Sequence, residues 1–236
     1  MGDGNLILTE NLVKVYPMGL SQITALDRVN LALQAGEFAG LVGPSGSGKT
    51  TLLNIIGTLD SPTSGSAEVL GCQVEKLSHR EAAALRNHSI GFIFQTFNLL
   101  PVYTAYENVE FPLLLLKTPA AQRKKMVMDA LDWVGLADRA RSRPAQLSGG
   151  ESQRVAIARA MVKKPELVLA DEPTANLDAR NSHHIMKTMV HLNESLKTTF
   201  IFATHDEKVM HYLKRKISLN DGRVEKDETR KAEPGK

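Results

Sequence analysis

Apolar residues along the first part of the chain follow patterns that predict short strands. Residues 6–15 and 23–33 contain alternating or continuous apolar positions, which predicts two strands joined by a loop at residues 16–19. Residues 38–42 form an apolar run typical of a buried strand, and a helix is expected to begin near Lys49. The N-terminal part is therefore predicted to supply an antiparallel β portion.

The rest of the chain combines apolar strands with a long helical region. Residues 90–94, 167–170 and 198–203 are short runs rich in apolar or β-branched residues, which predicts buried strands. The pattern is mainly helical between residues 96 and 162, and an Asp-Gly pair within residues 217–224 predicts a closing hairpin. These elements predict an α/β fold: a mostly parallel sheet flanked by helices, with an inserted helical subdomain.

Composition agrees with a single domain over residues 1–225. The chain has 236 residues, and its hydrophobic fraction of 42% supports a sizeable core. Residues 226–236 are charged and nearly free of apolar side chains, which predicts a disordered tail.

Charge and cysteine content narrow the possible functions. The 29 basic and 26 acidic residues give a net charge of only +3, and no arginine-rich arm occurs, so nucleic acid is not an expected partner. The single Cys72 excludes an internal disulfide and suits a reducing compartment. The N-terminus lacks a secretory pattern, and the longest apolar run, around residues 113–116, is far shorter than the ~20 residues that span a bilayer. We expect a soluble protein that another subunit would hold at a membrane.

A glycine-rich loop follows the predicted strand at residues 38–42 and precedes the predicted helix. It matches the pattern G-x-x-x-x-G-K-[ST], and its residues are Gly43, Pro44, Ser45, Gly46, Ser47, Gly48, Lys49 and Thr50. The glycines allow N–H groups to turn inward around a phosphate chain. The positive N-terminal end of the helix adds to the same anion site. Lys49 would reach the β- and γ-phosphates, and the Thr50 hydroxyl would bind Mg²⁺. The alternative is a Gly/Ser linker, but linkers do not usually end in Lys-Thr-Thr between an apolar strand and an apolar helix.

Polar side chains also follow two later strands. Asp171 and Glu172 come directly after one of them, and His205 follows another. Because ligands bind beyond the carboxyl ends of parallel strands, these groups are expected to meet one phosphate. Asp171 suits the Mg²⁺ shell, Glu172 suits a base that polarises the attacking water, and His205 is a candidate γ-phosphate partner.

A second open helix N-terminus is predicted further along the chain. Ser148, Gly149, Gly150 and Glu151 form an S-x-x-E capping box whose glycines leave the first N–H groups uncovered. This pattern fits an anion site, and on capping grounds alone it fits an ordinary helix start. Tyr16 is similarly open to two interpretations, a core aromatic or a surface on which a base stacks.

These motifs occur in the order typical of one family. In order they are the glycine-rich loop at residues 43–50, Gln95, Leu-Ser-Gly-Gly-Glu at residues 147–151, Asp171 with Glu172, Asn-Leu-Asp at residues 176–178, and His205. Over residues 5–224 the chain resembles the ATP-binding subunit of an ATP-binding-cassette (ABC) transporter. The resemblance implies a RecA-like P-loop NTPase core that hydrolyses ATP with Mg²⁺.

The resemblance also implies roles for individual residues. Tyr16 is similar to the aromatic residue that stacks on adenine, and Gln95 to the glutamine that contacts Mg²⁺ and the attacking water. Ser148, Gly149 and Gly150 would contact the ATP held by a second copy. Two ATP molecules would therefore be bound between the subunits of a homodimer.

Three further positions complete the set that the resemblance implies. Asp178 would lie at the boundary between the two subunits, His205 would be the switch histidine, and Thr51 would add to the nucleotide contacts. Integral membrane permease subunits would follow the closing and opening of the dimer through the surface around residues 95–103. The subunit would lie peripherally on the cytoplasmic face of the cell (inner) membrane.

A narrower resemblance covers residues 95–101, 107–113 and 169–178. These segments are similar to the ATPases of the lipoprotein-releasing, macrolide-exporting and cell-division group. Polar amino-acid importer ATPases are the nearest alternative, and a mechanical regulator that moves no substrate is another. The chain departs from the common Gln-Gln-Gln-Arg sequence at residues 151–154, where it has Glu-Ser-Gln-Arg.

Overall fold

The computed structural model describes residues 4–19 and 21–230, and its strands form two sheets. The strands are β1 (Asn5–Met18), β2 (Ser21–Gln34), β3 (Phe38–Val42), β4 (Ser64–Val69), β5 (Cys72–Gln73), β6 (Ile90–Phe94), β7 (Leu167–Asp171), β8 (Thr199–Thr204), β9 (Arg215–Asn220) and β10 (Arg223–Thr229). The smaller sheet is antiparallel, with the order β2-β1-β4-β5. It provides the antiparallel β portion predicted near the N-terminus.

The larger sheet has the order β10-β9-β3-β8-β7-β6. Its neighbouring strands are parallel except for β9 and β10, which form the predicted hairpin. The register aligns the carboxyl ends of the central strands: Val42 pairs with Thr204, and Asp171 pairs with both Ala203 and Phe94. Loops that leave these strands are therefore brought to one edge of the sheet.

The helices flank the larger sheet or connect its strands. They are α1 (Lys49–Ile56), α2 (His79–Ser89), α3 (Ala105–Leu115), α4 (Ala120–Trp133), α5 (Gly149–Met161), α6 (Ala179–Leu196) and α7 (Glu207–Met210). Helices α3, α4 and α5 lie within the region that the sequence predicts to be a helical subdomain. Among the described residues, none of the helices is long and apolar enough to cross a membrane.

Two hydrophobic clusters cover opposite faces of the larger sheet. Along β8, Phe200 and Phe202 belong to the cluster with the helical subdomain, whereas Ile201 and Ala203 belong to the cluster with α1 and the smaller sheet. This alternation follows from the period of two residues along a strand. Each large side chain that is fully buried in this way contributes roughly 1.5–3 kcal/mol, so both layers help to hold the sheet edge in place.

Two predictions at the ends of elements are wrong. Residues 16–18 do not form a loop, because β1 continues to Met18 and Tyr16 pairs with Ile23 of β2. The predicted disorder of residues 226–229 is also wrong, since β10 continues to Thr229 and Asp227 pairs with Arg215 at 2.6 Å. Cross-strand hydrogen bonds and this ion pair compensate for the missing apolar residues. Residues 231–236 of the predicted tail lie outside the described residues.

Candidate nucleotide-binding site

The phosphate loop, residues 43–48, connects β3 to α1 at the aligned edge of the larger sheet. Its last residue, Gly48, has φ of 100° and caps the N-terminus of α1. A Cβ at this position would lie 2.5 Å from the carbonyl oxygen of Ala25, so only glycine fits. At the exposed tip of the loop are Pro44, Ser45 and Gly46.

Lys49 begins α1 and is folded against the phosphate loop. Its side chain is buried, and Nζ donates to the carbonyl oxygens of Gly43 at 2.8 Å and Pro44 at 2.7 Å. Burial lowers the pKa of Lys49, and the nearby carboxylates of Glu172 and Asp171 oppose this shift. A buried cation therefore lies between the loop and two carboxylates.

Thr50 and Asp171 are in direct contact although 121 residues separate them in sequence. The Thr50 hydroxyl donates to Asp171 Oδ2 at 3.0 Å, and Oδ1 lies 3.2 Å away. Burial raises the pKa of Asp171, the Thr50 hydrogen bond lowers it, and nearby Glu172 raises it again. A hydroxyl and a carboxylate side by side are oxygen ligands of the kind that Mg²⁺ prefers.

Glu172 follows β7 and is oriented by β8. Its backbone has φ of 45°, and its amide donates to the carbonyl oxygen of Ala203 at 2.9 Å. The carboxylate accepts from the Thr204 hydroxyl at 3.1 Å and lies 2.6 Å from Nδ1 of His205. The sheet therefore brings Glu172 and His205 together, as the sequence predicts. We refer to residues 43–50, 171–172 and 204–205 as the phosphate edge.

Gln95 leaves β6 next to the phosphate edge. Its Nε2 donates to Oδ1 of Asn176 at 3.4 Å, and Nδ2 of Asn176 donates back to its carbonyl oxygen at 3.0 Å. Below it, the buried Gln153 of α5 donates to the carbonyl oxygens of Pro173 at 2.6 Å and Phe94 at 3.5 Å. Helix α5 is thus attached to the loops after β6 and β7.

Residues 148–151, which we call the signature segment, form the N-terminus of α5. The capping box predicted from the sequence is confirmed: Ser148 accepts from the Glu151 amide at 3.2 Å, and Glu151 accepts from the Ser148 amide at 2.8 Å. Ser148 and Gly149 are exposed, while a Cβ on Gly150 would lie 2.5 Å from Oδ1 of Asn181. Helices α5 and α6 therefore approach closely at this point.

Asp178 caps α6 beside the signature segment. Its carboxylate accepts from the amide of Asn181 at 2.8 Å and from Nδ2 of the same residue at 2.6 Å. Among the described residues, no hydrogen bond or ion pair joins Ser148 or Asp178 to the phosphate loop. The sequence-predicted site residues thus form two separate groups within one chain.

Tyr16 of β1 is half-buried and lies near Thr51 of α1 and Asp60. Its phenol donates to Oδ2 of Asp60 at 2.7 Å, and Nζ of Lys14 lies 4.8 Å from the ring centroid. Burial and then Asp60 raise the pKa of Tyr16, while a hydrogen bond with Thr51 opposes them. The structure favours neither interpretation, since the ring is half-buried.

The phosphate edge fits a nucleoside triphosphate with Mg²⁺. Oγ of Ser47 is buried in the loop and has no hydrogen-bond partner within the part of the chain that the structure describes, which is unfavourable unless a ligand supplies one. Lys49 provides a cation, and the contact between Thr50 and Asp171 provides two oxygen ligands beside it.

Sequence reasoning missed several residues that support the site. The Thr204 hydroxyl contacts Glu172 and the Asp60 carboxylate contacts Tyr16, and no local pattern marks these contacts because the partners are distant in sequence. Gln153 was part of a recognised motif, but its contacts with the loops after β6 and β7 depend on the packing of α5.

Comparisons with known proteins agree with this geometry. The model of the ABC transporter family matches residues 26–175. The lipoprotein-releasing system ATP-binding protein LolD of Pseudoalteromonas translucida (strain TAC 125) is 50% identical over 219 residues, which cover 93% of this chain and 94% of that protein. The uncharacterized ABC transporter ATP-binding protein YvrO of Bacillus subtilis (strain 168) is 44% identical over 223 residues, covering 94% and 97%.

A solved structure also matches over nearly the whole chain. It is a dimeric structure of a post-hydrolysis state of the ATP-binding cassette MJ0796 bound to ADP and Pi. The two chains are 43% identical and superpose with a TM-score of 0.87, and the match covers 94% of this chain and 98% of that chain. This protein therefore belongs to the ABC transporter family, as one of its ATP-binding subunits. The predicted α/β fold with a P-loop NTPase core is confirmed.

Proposed function

We propose that this chain is the ATP-hydrolysing subunit of an ABC transporter, and that two copies bind two ATP molecules between them and drive a membrane permease. The observation that supports this best is the phosphate edge, where Lys49, the Thr50–Asp171 contact and the Glu172–His205 contact converge. A cation, candidate Mg²⁺ ligands and a carboxylate base are the groups that phosphoryl transfer to water requires.

Each group at the phosphate edge has a proposed role. Lys49 and the loop amides bind the phosphates, and Thr50, Asp171 and Gln95 hold Mg²⁺. The metal supplies charge neutralisation for the phosphate oxygens. Glu172 takes a proton from the attacking water, and its hydrogen bonds with Thr204 and His205 hold the carboxylate in one orientation.

His205 and Tyr16 would act at opposite ends of the nucleotide. The His205 side chain is 61% exposed, so its ring is accessible to a γ-phosphate beside Glu172. Tyr16 provides an aromatic ring near Thr51 for stacking with adenine. The hydrogen bond with Thr51 keeps the ring close to the first turn of α1, and the hydrogen bond to Asp60 orients the phenol.

The signature segment would act on the ATP of a second copy. Ser148 caps α5, Gly149 and Gly150 are its first residues, and Ser148 and Gly149 are exposed; the N-terminus of a helix attracts anions. Asp178 caps the neighbouring helix and would lie at the same boundary. MJ0796 has been solved as a dimer with ADP and Pi, which supports a two-fold arrangement with shared nucleotides.

The permease partner would contact an apolar groove beside α2, α3 and α5. Exposed apolar side chains line it, among them Leu59 at 49%, Phe111 at 39% and Leu115 at 57% exposed. Large apolar residues clustered on a surface mark interaction sites. We therefore place the contact at this groove, next to the predicted surface at residues 95–103.

Three of the side chains that line this groove are basic. Arg86, Arg159 and Lys163 line it, and each donates to backbone carbonyls rather than to a carboxylate among the described residues. Burial lowers the pKa of Lys163 to about 8. A permease segment with apolar side chains and a carboxylate would complement this surface.

The names of two relatives support a class of transport system. LolD proteins of Pseudoalteromonas translucida and Geobacter metallireducens, the second 45% identical, are named for lipoprotein release, so we propose an export or lipoprotein-release system. An amino-acid importer or a mechanical regulator that moves no substrate remains the alternative. In each case the subunit would be held peripherally at the cytoplasmic face of the inner membrane by its permease.

Size-exclusion chromatography of Glu172→Gln tests the proposed mechanism. This variant should bind MgATP and elute as a lasting dimer with ATP but not with ADP, because the base is missing while the phosphate contacts remain. Adding Ser148→Arg should return it to a monomer. Turnover of ATP at the parent's rate by Glu172→Gln would refute the role of Glu172.

Affinity purification from membranes of the native host tests the partner. The tagged wild-type chain should retain a multi-pass protein, and Leu115→Asp should lose it while keeping ATP binding. Met18→Asp changes a similarly exposed apolar residue elsewhere and should retain the partner. Recovery of only soluble partners with the wild-type chain would contradict the transporter assignment.

A further inference from the structure

The turn between β9 and β10 lies directly behind the phosphate loop. The amide of Gly222 in this turn donates to the carbonyl oxygen of Ser47 at 3.1 Å. On its other side, the carbonyl oxygen of Gly222 accepts from the amide of Asp27 in β2 at 2.8 Å. One residue therefore joins the phosphate loop to β2 through two backbone hydrogen bonds.

A side chain does not fit at this turn. Gly222 has φ of 75°, and a Cβ on it would lie 2.8 Å from the carbonyl oxygen of Ala25 and 3.0 Å from Cα of Leu26. Both neighbours are backbone atoms of a paired strand and cannot rotate away. An added methyl group would therefore displace the turn, and with it the hydrogen bond to Ser47.

An ion pair holds the same turn against β2. The carboxylate of Asp27 accepts from Nε of Arg223 at 2.8 Å, and Nη2 of Arg223 contacts the same oxygen. Hydrogen bonds from Arg28 and then from Arg223 lower the pKa of Asp27, so this carboxylate is charged at neutral pH. The backbone and the side chain of Asp27 thus both contact the turn.

We propose that the β9–β10 turn is a brace for the phosphate loop, and that Gly222 and Asp27 are positioning residues for nucleotide binding. The peptide bond between Ser47 and Gly48 is planar and trans, so its C=O and N–H point in opposite directions. Because Gly222 holds the C=O, the N–H of Gly48 is directed away from the turn, in an orientation suited to a phosphate. This inference rests on the proposed function only in that the loop binds ATP.

Gly222→Ala tests the brace, and Gly71→Ala is its matched control. Gly71 also has φ of 75°, but a Cβ there would meet nothing within 4 Å, so the two variants share the backbone strain and differ in the contacts. In Gly222→Ala we expect faster amide hydrogen exchange in the peptide that spans residues 43–50, measured without nucleotide. The Kd for MgATP should rise about tenfold, which corresponds to ~1.4 kcal/mol, with a smaller change in kcat.

Gly71→Ala should leave both quantities unchanged. Equal effects of the two variants, or faster exchange throughout Gly222→Ala with no excess at residues 43–50, would overturn the proposal. If Gly222→Ala does not fold, Arg223→Ala takes its place, since Arg223 is largely exposed and its side-chain hydrogen bonds within the described residues all go to Asp27. Wild-type exchange and Kd in a folded Arg223→Ala would then refute the brace, whereas a wild-type chain that fails to bind ATP would refute the proposed function.

Discussion

At the phosphate edge the side chains of Thr50 and Glu172 contact distant parts of the chain, whereas the side-chain hydrogen bond of Ser148 seen among the described residues stays within its own helix. Thr50 contacts Asp171 across 121 residues, and Glu172 contacts His205 across 33. Ser148 and Glu151 are three residues apart, and the side chain of each accepts a hydrogen bond from the backbone amide of the other. The first group is thus assembled by folding of one chain, while the second is a local surface for which we propose a second copy as the partner.

Removing the buried cation should have the largest effect on this comparison. Lys49→Ala deletes the group that contacts both the loop carbonyls and the region of Asp171 and Glu172. We expect MgATP binding, followed by calorimetry, to fall more than ~100-fold, since charge-assisted hydrogen bonds to phosphate are lost. Tight MgATP binding by a folded Lys49→Ala would show that the phosphate edge is not the nucleotide site.

Ser148→Arg should break the second group while leaving the first intact. Its side chain is exposed and, among the residues described, makes no hydrogen bond with the phosphate loop, so the monomer should bind MgATP with an unchanged Kd. Turnover should be lost, because a bulky cation at the helix N-terminus opposes its dipole and blocks the second copy. Parallel calorimetry and phosphate release would separate these effects, and normal turnover would argue against a shared site.

The same contrast explains what could be predicted from the sequence. The phosphate loop and the capping box are local patterns, and apolar runs mark the buried strands, so both groups and the fold class were within reach of the sequence. The register that brings Glu172 to His205, and the contacts of Gln153 and Gly222, depend on packing between elements far apart in sequence. The disorder predicted for residues 226–229 is wrong because an ion pair, which composition does not reveal, helps to hold β10 in place.

A moderate effect is expected where the two groups are connected. Gln153 belongs to α5, the helix that the signature segment begins, and donates to the carbonyl oxygen of Pro173, just beyond Glu172. Gln153→Met removes the hydrogen bond that this carbonyl accepts among the described residues, at a cost of ~1–3 kcal/mol. It should lower turnover severalfold with little change in the Kd for MgATP. Thr198→Val removes a comparable buried hydrogen bond, to Pro165 at 2.8 Å, and is the control.

Both variants should melt at lower temperature than the wild-type chain. Only Gln153→Met should slow steady-state ATP hydrolysis, because only its hydrogen bond connects α5 to the loop that contains Glu172. An equal loss of turnover in Thr198→Val would mean that general destabilisation, not the connection between the two groups, sets the rate.

The smallest effect is expected for Glu151→Gln, which changes the charge of the capping box but keeps its hydrogen bonds. Hydrogen bonds from Ser148 lower the pKa of Glu151, with Arg139 adding to the shift. A depressed pKa in the folded state contributes stability above the unfolded value of ~4.3, and this contribution is lost as pH falls through the folded pKa. The variant should therefore be less stable than wild type by about 0.5 kcal/mol or less at pH 7, since the carboxylate is only partly buried. Urea unfolding from pH 7 to pH 3 should show the difference disappearing in acid; a difference that grows in acid would mean that Glu151 supports the helix as the neutral acid instead.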